Sequence, residues 1–586
     1  MPPCTQNVAS EAFADFIYQY NFSPPESVFQ LTGSGCVDFV NREYAVIYTP
    51  LEEALPISVE TYTYAAIPKL YALLDTTSME SSGIIRTFNQ PSLALRGEGT
   101  MIGIIDTGID YTNPLFQNPD GSSRVFGIWD QTLPDTKEFS ENRGILTDSP
   151  LTSFLYGQEF TKEQLDLALT SEQPLEIVPS TDTDGHGTFL AGIAAGNEDP
   201  QLDFTGAAPD CALGIVKLKP AKQYLRDFYR LGDGAQAYQE NDIMMGIKYL
   251  LTLAGRHQMP LIILLGLGTN SGSHNGTSPL AQYMRSLSNS LGFSIVVAGG
   301  NETGFHHHFL GNISQEEEFQ DVEIRVGKGE AGFTLELWAG TPELYTVGFI
   351  SPTGEQIQRI PIVLGRESRI SFLLEPTIIT VNYINAEVGS GNQLILIRFQ
   401  SPTEGIWRIR VYHTLLITGI FHMWLPVRGF ISDETIFLNS NPDTLITEPA
   451  NTPTVITVSG YNHANNSIYI HSSRGFARDG SIKPDLAAPA VNVYGPGLSR
   501  AMKNTDLPPV MVQKTGTSVA AAHVAGAAAN LITWALQTNQ AAGASDISIK
   551  SYLVRGANRN PVYTYPNKEW GYGTLDLYQS FLRMRE

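Results

Sequence analysis

The chain has 586 residues, a formal net charge of −22, 42% hydrophobic and 16% charged residues. That apolar content excludes a disordered chain, and the length exceeds what a single core supports, so several domains are expected. The acidic balance argues against nucleic acid or an anionic membrane as a partner, because both call for basic patches.

The N-terminus, Met1-Pro2-Pro3-Cys4-Thr5-Gln6, lacks the basic start and apolar stretch of a secretory signal, and no run reads as a membrane span. Cytoplasmic synthesis is therefore expected. Cys4, Cys36 and Cys211 are an odd, sparse set that gives no disulfide framework and suits free thiols in a reducing compartment. Residues 1–64 contain a helix-like stretch over Glu11–Tyr20 and strands such as Tyr44–Tyr48, with no catalytic constellation, which suggests a separate α+β unit.

From residue 65 to 305, strands and helices alternate, as in an α/β domain with a parallel sheet covered by helices on both faces. The apolar run Met101–Ile105 reads as a buried strand that presents Asp106 at its C-terminal end. His186, in Asp184-Gly185-His186-Gly187-Thr188, opens an apolar, small-residue stretch. Asn197–Asp203 is acidic enough for a cation loop but equally suits a solvated loop, so no metal and no cofactor are assigned. Two further strands end in glycine turns, Leu261–Leu265 before Gly266-Leu267-Gly268, and Ile295–Val297 before Ala298-Gly299-Gly300-Asn301. The adjacent His306, His307 and His308 point in different directions on any strand or turn and are not expected to converge on one ion.

Residues 306–449 change texture. Val322, Ile324 and Val326, then Phe333, Leu335 and Leu337, then Ile395, Ile397 and Phe399, then Trp407, Ile409 and Val411 alternate with period two. Turn clusters such as Ser351-Pro352-Thr353-Gly354 separate these runs, which predicts an inserted all-β jelly roll. Residues 450–586 return to the first texture, with a strand at Val455–Val458. There Thr515-Gly516-Thr517-Ser518 is followed by Val519-Ala520-Ala521-Ala522-His523, a turn feeding an alanine-rich helix. A serine at a helix N-terminus can become a nucleophile, because free N–H groups and the dipole favour the charge of a tetrahedral intermediate. Singly, each of these residues is more often a cap or a turn residue.

Taken together, Asp106, His186 and Ser518 follow one another in the order of the subtilisin-like serine proteases (subtilases, peptidase family S8), which the chain after residue 65 resembles outside the inserted segment. Lys483–Pro489 and Gly571–Asp576 also resemble segments of that family. The resemblance implies a catalytic triad, with Asn301 donating its side-chain amide to the oxyanion. It implies that Gly266, Leu267 and Gly268 pair with extended substrate, and that Ala298, Gly299 and Gly300 form the facing wall of the primary specificity pocket. It also implies that residues 1–64 are a prodomain that plugs the cleft and is cut off by the enzyme itself near Tyr64, in the region Thr63, Tyr64, Ala65. Val519 and Ala522 stand where many relatives have Met and Pro, and Gly266 where a serine is usual.

The jelly roll after the asparagine and the Gly-Thr-Ser context narrow the resemblance to the Csp germination proteases of spore-forming bacteria. Members of that group cut the propeptide from a cortex-lytic enzyme precursor, so a protein substrate and a spore-associated location are expected. Some relatives have lost triad residues and act as non-enzymatic sensors or regulators. A silent pseudoprotease and a general intracellular protease are thus the competing readings, and the complete triad favours an active serine endopeptidase.

Overall fold

The computed structural model describes residues 13–19, 37–39, 44–54, 77–91, 93–133, 154, 156–232, 234–288, 290–363, 366–499, 510–538 and 545–584. They belong to two compact units that divide between Leu73 and Leu74, later in the chain than residue 64. The self-cleavage region Thr63, Tyr64 and Ala65 lies outside the described residues, as do Cys4 and Cys36. Cys211 is a buried free thiol.

In the N-terminal unit, Phe13–Gln19, Val37–Phe39 and Tyr44–Pro50 form an antiparallel sheet with Tyr44–Pro50 in the middle. A helical turn, Leu51–Ala54, follows. The helix expected near Glu11–Tyr20 is instead a strand over Phe13–Gln19. Phe16 pairs with Ile47 across the ladder and both are buried, so cross-strand burial overrides the local helical spacing.

The larger unit is built on a nine-stranded sheet. Its strands are β1 (Met101–Asp106), β2 (Val125–Asp130), β3 (Gln158–Thr161), β4 (Ala212–Lys217), β5 (Leu261–Leu265), β6 (Phe293–Ala298), β7 (Ile456–Asn462), β8 (Ser467–Ile468) and β9 (Leu486–Pro489). The order is β8-β7-β6-β5-β1-β4-β2-β3, with β9 also paired to β7. The inner strands are parallel, and β3 and β8 close the edges antiparallel. The chain travels from β1 outward to one side and then to the other, so the crevice at the C-terminal ends of β1 and β5 is the place where such sheets carry their ligands.

Alternation along these strands divides two cores. Ile102, Ile104, Ile262, Leu264 and Val296 share one core with α1 (His186–Ala195) and α3 (Thr517–Gln537). Met101, Ile105, Ile263, Leu265, Ile295 and Val297 face the other, with α2 (Glu240–His257). The strands read as continuous apolar runs because both faces are covered. Helix α3 corrects one expectation from the sequence. It is long and apolar enough to cross a membrane by length and composition, yet 89% of that window is buried inside the protein, the setting of a core helix.

The insertion forms two sheets whose strand pairs are all antiparallel. Its strands run from His308–Asn312 to Ile436–Phe437. All twelve of the alternating residues named from Val322 to Val411 lie in the single core between the sheets.

One buried cation joins the segments behind the site. Arg124 donates to the carbonyls of Ala195 and Cys211 at 2.7 Å each and of Leu115 at 3.4 Å, and it also binds the Asn197 side chain. Within the acidic loop, Glu198 pairs with Arg96, and Asp199 accepts the N–H of Gln201. Arg124→Met strips these carbonyls of their donor and is expected to lower unfolding free energy by about 3 kcal/mol. Urea unfolding checks this, and a loss under about 1 kcal/mol would contradict it.

Candidate active site

Three strand ends and two helix starts meet at the crevice. Asp106 is the last residue of β1, His186 the first of α1 and Ser518 the second of α3. His186 Nδ1 lies 2.7 Å from Asp106 Oδ1 and 2.9 Å from Oδ2, and its Nε2 lies 3.0 Å from Ser518 Oγ. The sequence separations of 80 and 332 residues are thus closed by one imidazole. Asp106 is buried, while the His186 side chain keeps 28% of its surface exposed.

Thr107, which the sequence reading passed over, orders this relay. Its N–H donates to Asp106 Oδ1 at 2.8 Å, and its hydroxyl accepts the Gly187 N–H at 2.9 Å, tying the end of β1 to the start of α1. Burial alone would push the Asp106 carboxyl up, but His186 and the Thr107 donors outweigh it and hold it below its usual value. Burial alone would lower the His186 ring, and Asp106 reverses that and raises it above the ordinary histidine value.

Asn301 follows β6 and the glycine turn. Its Oδ1 accepts the Thr517 N–H at 3.0 Å, which leaves Nδ2 free of that contact. Nδ2 and Ser518 Oγ each lie 3.5 Å from the point a Cβ on Gly516 would occupy. Ser518 is the second residue of α3, a position whose N–H has no acceptor one turn back in the helix. The next residue, Glu302, is buried and fastened, with its N–H donating to Ser473 Oγ at 3.1 Å and its carboxylate meeting His307 Nδ1 at 3.0 Å.

Gly266 follows β5 directly beneath the relay. A Cβ there would stand 3.1 Å from His186 Cε1 and 3.2 Å from Ser518 Cβ, which gives a steric reason for glycine at a position where serine was expected from the family. Gly268 and Gly300 both approach Thr447, and the Gly299 carbonyl accepts the Thr447 N–H at 3.1 Å. Leu267 is partly buried against the core on the α2 side, and Ala298, the last residue of β6, is buried. The three histidines diverge as their spacing requires: His306 meets Ser440, His307 meets Glu302, and His308 meets His422. No group of three or more His, Cys, Asp or Glu suited to hold a metal ion occurs among the described residues.

The model of the Subtilase family matches residues 97–352 and 434–573, leaving out most of the inserted sandwich. Among solved structures, the CspB protease of Clostridium perfringens is 30% identical with a TM-score of 0.73, covering 86% of this chain and 96% of that one. The subtilisin-like protease SBT2.2 of Arabidopsis thaliana is 32% identical over 126 residues, 20% of this chain. The C5a peptidase of Streptococcus pyogenes is 22% identical over 492 residues, 78% of this chain. The matched regions span 14% of the first curated relative and 37% of the second.

Because a general base must be neutral, hydrolysis is expected to fall as pH drops through a His186 pKa lying above the ordinary value of 6.5. Asp106→Asn removes the charge that raises it, so the acid limb of kcat should move to lower pH while kcat falls by about 10⁴. A kcat–pH profile on a chromogenic peptide checks both effects, and an unmoved limb would contradict the assignment. Gly266→Ala crowds the His186 ring, Ser518 Cβ and the end of Leu190, and is expected to cut kcat tenfold or more, up to about 100-fold, with Tm nearly unchanged. Steady-state kinetics beside thermal unfolding separate the two, and wild-type kcat would oppose the steric reading.

Proposed function

The chain belongs to the subtilase family of serine peptidases, and we propose that it is an endopeptidase that cuts off its own N-terminal segment and then processes a protein precursor. The observation that carries this reading is the imidazole of His186, placed between a buried carboxylate at 2.7 Å and a hydroxyl at 3.0 Å.

In this reading Ser518 Oγ attacks the peptide carbonyl carbon while His186 Nε2 takes its proton. The carbonyl oxygen becomes an oxyanion that accepts hydrogen bonds from Asn301 Nδ2 and the Ser518 N–H. Collapse breaks the C–N bond, and His186 gives its proton to the leaving amine. Water then repeats the sequence on the acyl ester, with His186 again as base, and releases the acid and the free hydroxyl. Asp106 keeps the Nδ1 proton in place throughout and stabilises the imidazolium. The backbone of Gly266, Leu267 and Gly268 pairs with extended substrate, opposite Ala298, Gly299 and Gly300.

The precursor we propose is a spore cortex-lytic proenzyme cut during germination, with the chain's own prodomain occupying the cleft after self-cleavage. The similarity to the CspB protease, at 30% identity over 96% of that chain, supports this choice over a general intracellular protease. Nucleic acid and membrane play no part in it.

Expressed side by side, the wild type should yield a released N-terminal fragment on a denaturing gel and label with a fluorophosphonate. Ser518→Ala should do neither. Identical full-length bands without labelling would favour the scaffold reading. A cortex-lytic proenzyme incubated with the wild type should lose its propeptide at one bond, and an uncut proenzyme beside a labelled enzyme would overturn the client but not the peptidase.

A further inference from the structure

The two glycine walls beside the triad are separated by a side chain that neither wall supplies. A Cβ on Gly268 would meet Thr447 Oγ1 at 2.3 Å, and one on Gly300 would meet Thr447 Cγ2 at 2.7 Å and Oγ1 at 2.9 Å. One buried threonine therefore touches both walls and takes up the space between them at depth. It comes from the strand-like return that leads out of the inserted sandwich into the second half of the peptidase domain.

That return is hydrogen-bonded to both walls. The Thr447 N–H donates to the Gly299 carbonyl at 3.1 Å, and Glu448 and Thr269 exchange N–H to carbonyl bonds at 2.9 Å in each direction. It is also held from the sandwich side. Trp424 Nε1 donates to the Thr444 carbonyl at 3.2 Å, His274 Nδ1 lies 2.9 Å from the Ile446 oxygen, and the two rings stack at 4.0 Å, 8° from parallel. Thr447 thus cannot swing out of the slot without undoing contacts on two sides. A β-branched side chain has few rotamers with which to make room.

We propose that Thr447 determines substrate choice, so that this peptidase cuts after small side chains (glycine, alanine, serine or threonine) and rejects aromatic and long aliphatic ones. The inference rests on the peptidase reading above and adds the class of substrate to it. It also divides the self-cleavage region. Cutting after Thr63, Ala65 or Ala66 fits the slot, and cutting after Tyr64 does not. The inserted sandwich then gains a role, since its Trp424 buttresses the segment that fills the pocket.

The test uses the full chain and peptide p-nitroanilides that differ only in the residue before the scissile bond, with fluorophosphonate labelling as a separate measure of the intact triad. Wild type should favour alanine over phenylalanine by about 100-fold or more in kcat/KM, because one misfit methylene group already costs about 10- to 200-fold. Thr447→Gly should raise kcat/KM for phenylalanine at least tenfold and narrow the preference for alanine over phenylalanine at least as much. Thr447→Ser, which keeps the hydroxyl, should give a smaller shift in the same direction and covers the case in which the glycine variant does not fold. A labelled wild type that prefers phenylalanine, or labelled variants with an unchanged preference, would overturn the role of Thr447 while leaving the peptidase standing. A wild type that neither labels nor cuts would overturn both.

Discussion

The site depends on a single imidazole that must satisfy two oxygens at once. His186 can reach Asp106 and Ser518 together only if the end of β1, the start of α1 and the start of α3 hold fixed positions. The parallel sheet supplies that rigidity. With both faces covered, β1 is clamped between β4 and β5, and its terminal carboxylate has no freedom to leave the crevice. Burying an aspartate there would be costly without partners, and the ring and the Thr107 N–H are the groups that offset the cost.

Around that relay the molecule uses glycine where backbone must approach side chains, and polar side chains where loops must not move. Gly266 lets β5 pass beneath the histidine and the serine. Glu302 fixes the turn that carries Asn301, drawing on His307, on the Ser473 hydroxyl and on the Asn270 amide at 3.3 Å. The inserted sandwich is therefore no passive appendage. His307 and Trp424 connect it to the two loops that shape the cleft, so the insertion's packing and the cleft's geometry are one mechanical problem.

Much of this was legible in the sequence, for physical reasons. Strands buried on both faces must be continuous apolar runs, which is why Met101–Ile105, Leu261–Leu265 and Ile295–Val297 declared themselves. The sandwich announced itself by strict alternation, since one face of each strand enters a core. The triad candidates stood out through their small-residue surroundings, which tight turns at helix starts require. Phe13–Gln19 was misread because a short aromatic and β-branched run carries no reliable period by itself, and its partner lies some thirty residues onward. Helix α3 was not seen as long and apolar enough to cross a bilayer, because its length became clear only with the fold. Thr447 could not be found at all from the sequence. Its importance comes from contacts with Gly268 and Gly300, well over a hundred residues away across the insertion, and a threonine after an isoleucine carries no local signal.

The central claim is that a neutral His186 carries its proton on Nδ1 toward Asp106 and leaves Nε2 bare toward Ser518. Nitrogen-15 NMR of the selectively labelled imidazole reads this directly. The account predicts, above the ring's pKa, a protonated Nδ1 with its proton shifted far downfield by the carboxylate and an unprotonated Nε2. A ring with its proton on Nε2, or one that titrates like a free imidazole with no downfield proton, would contradict it.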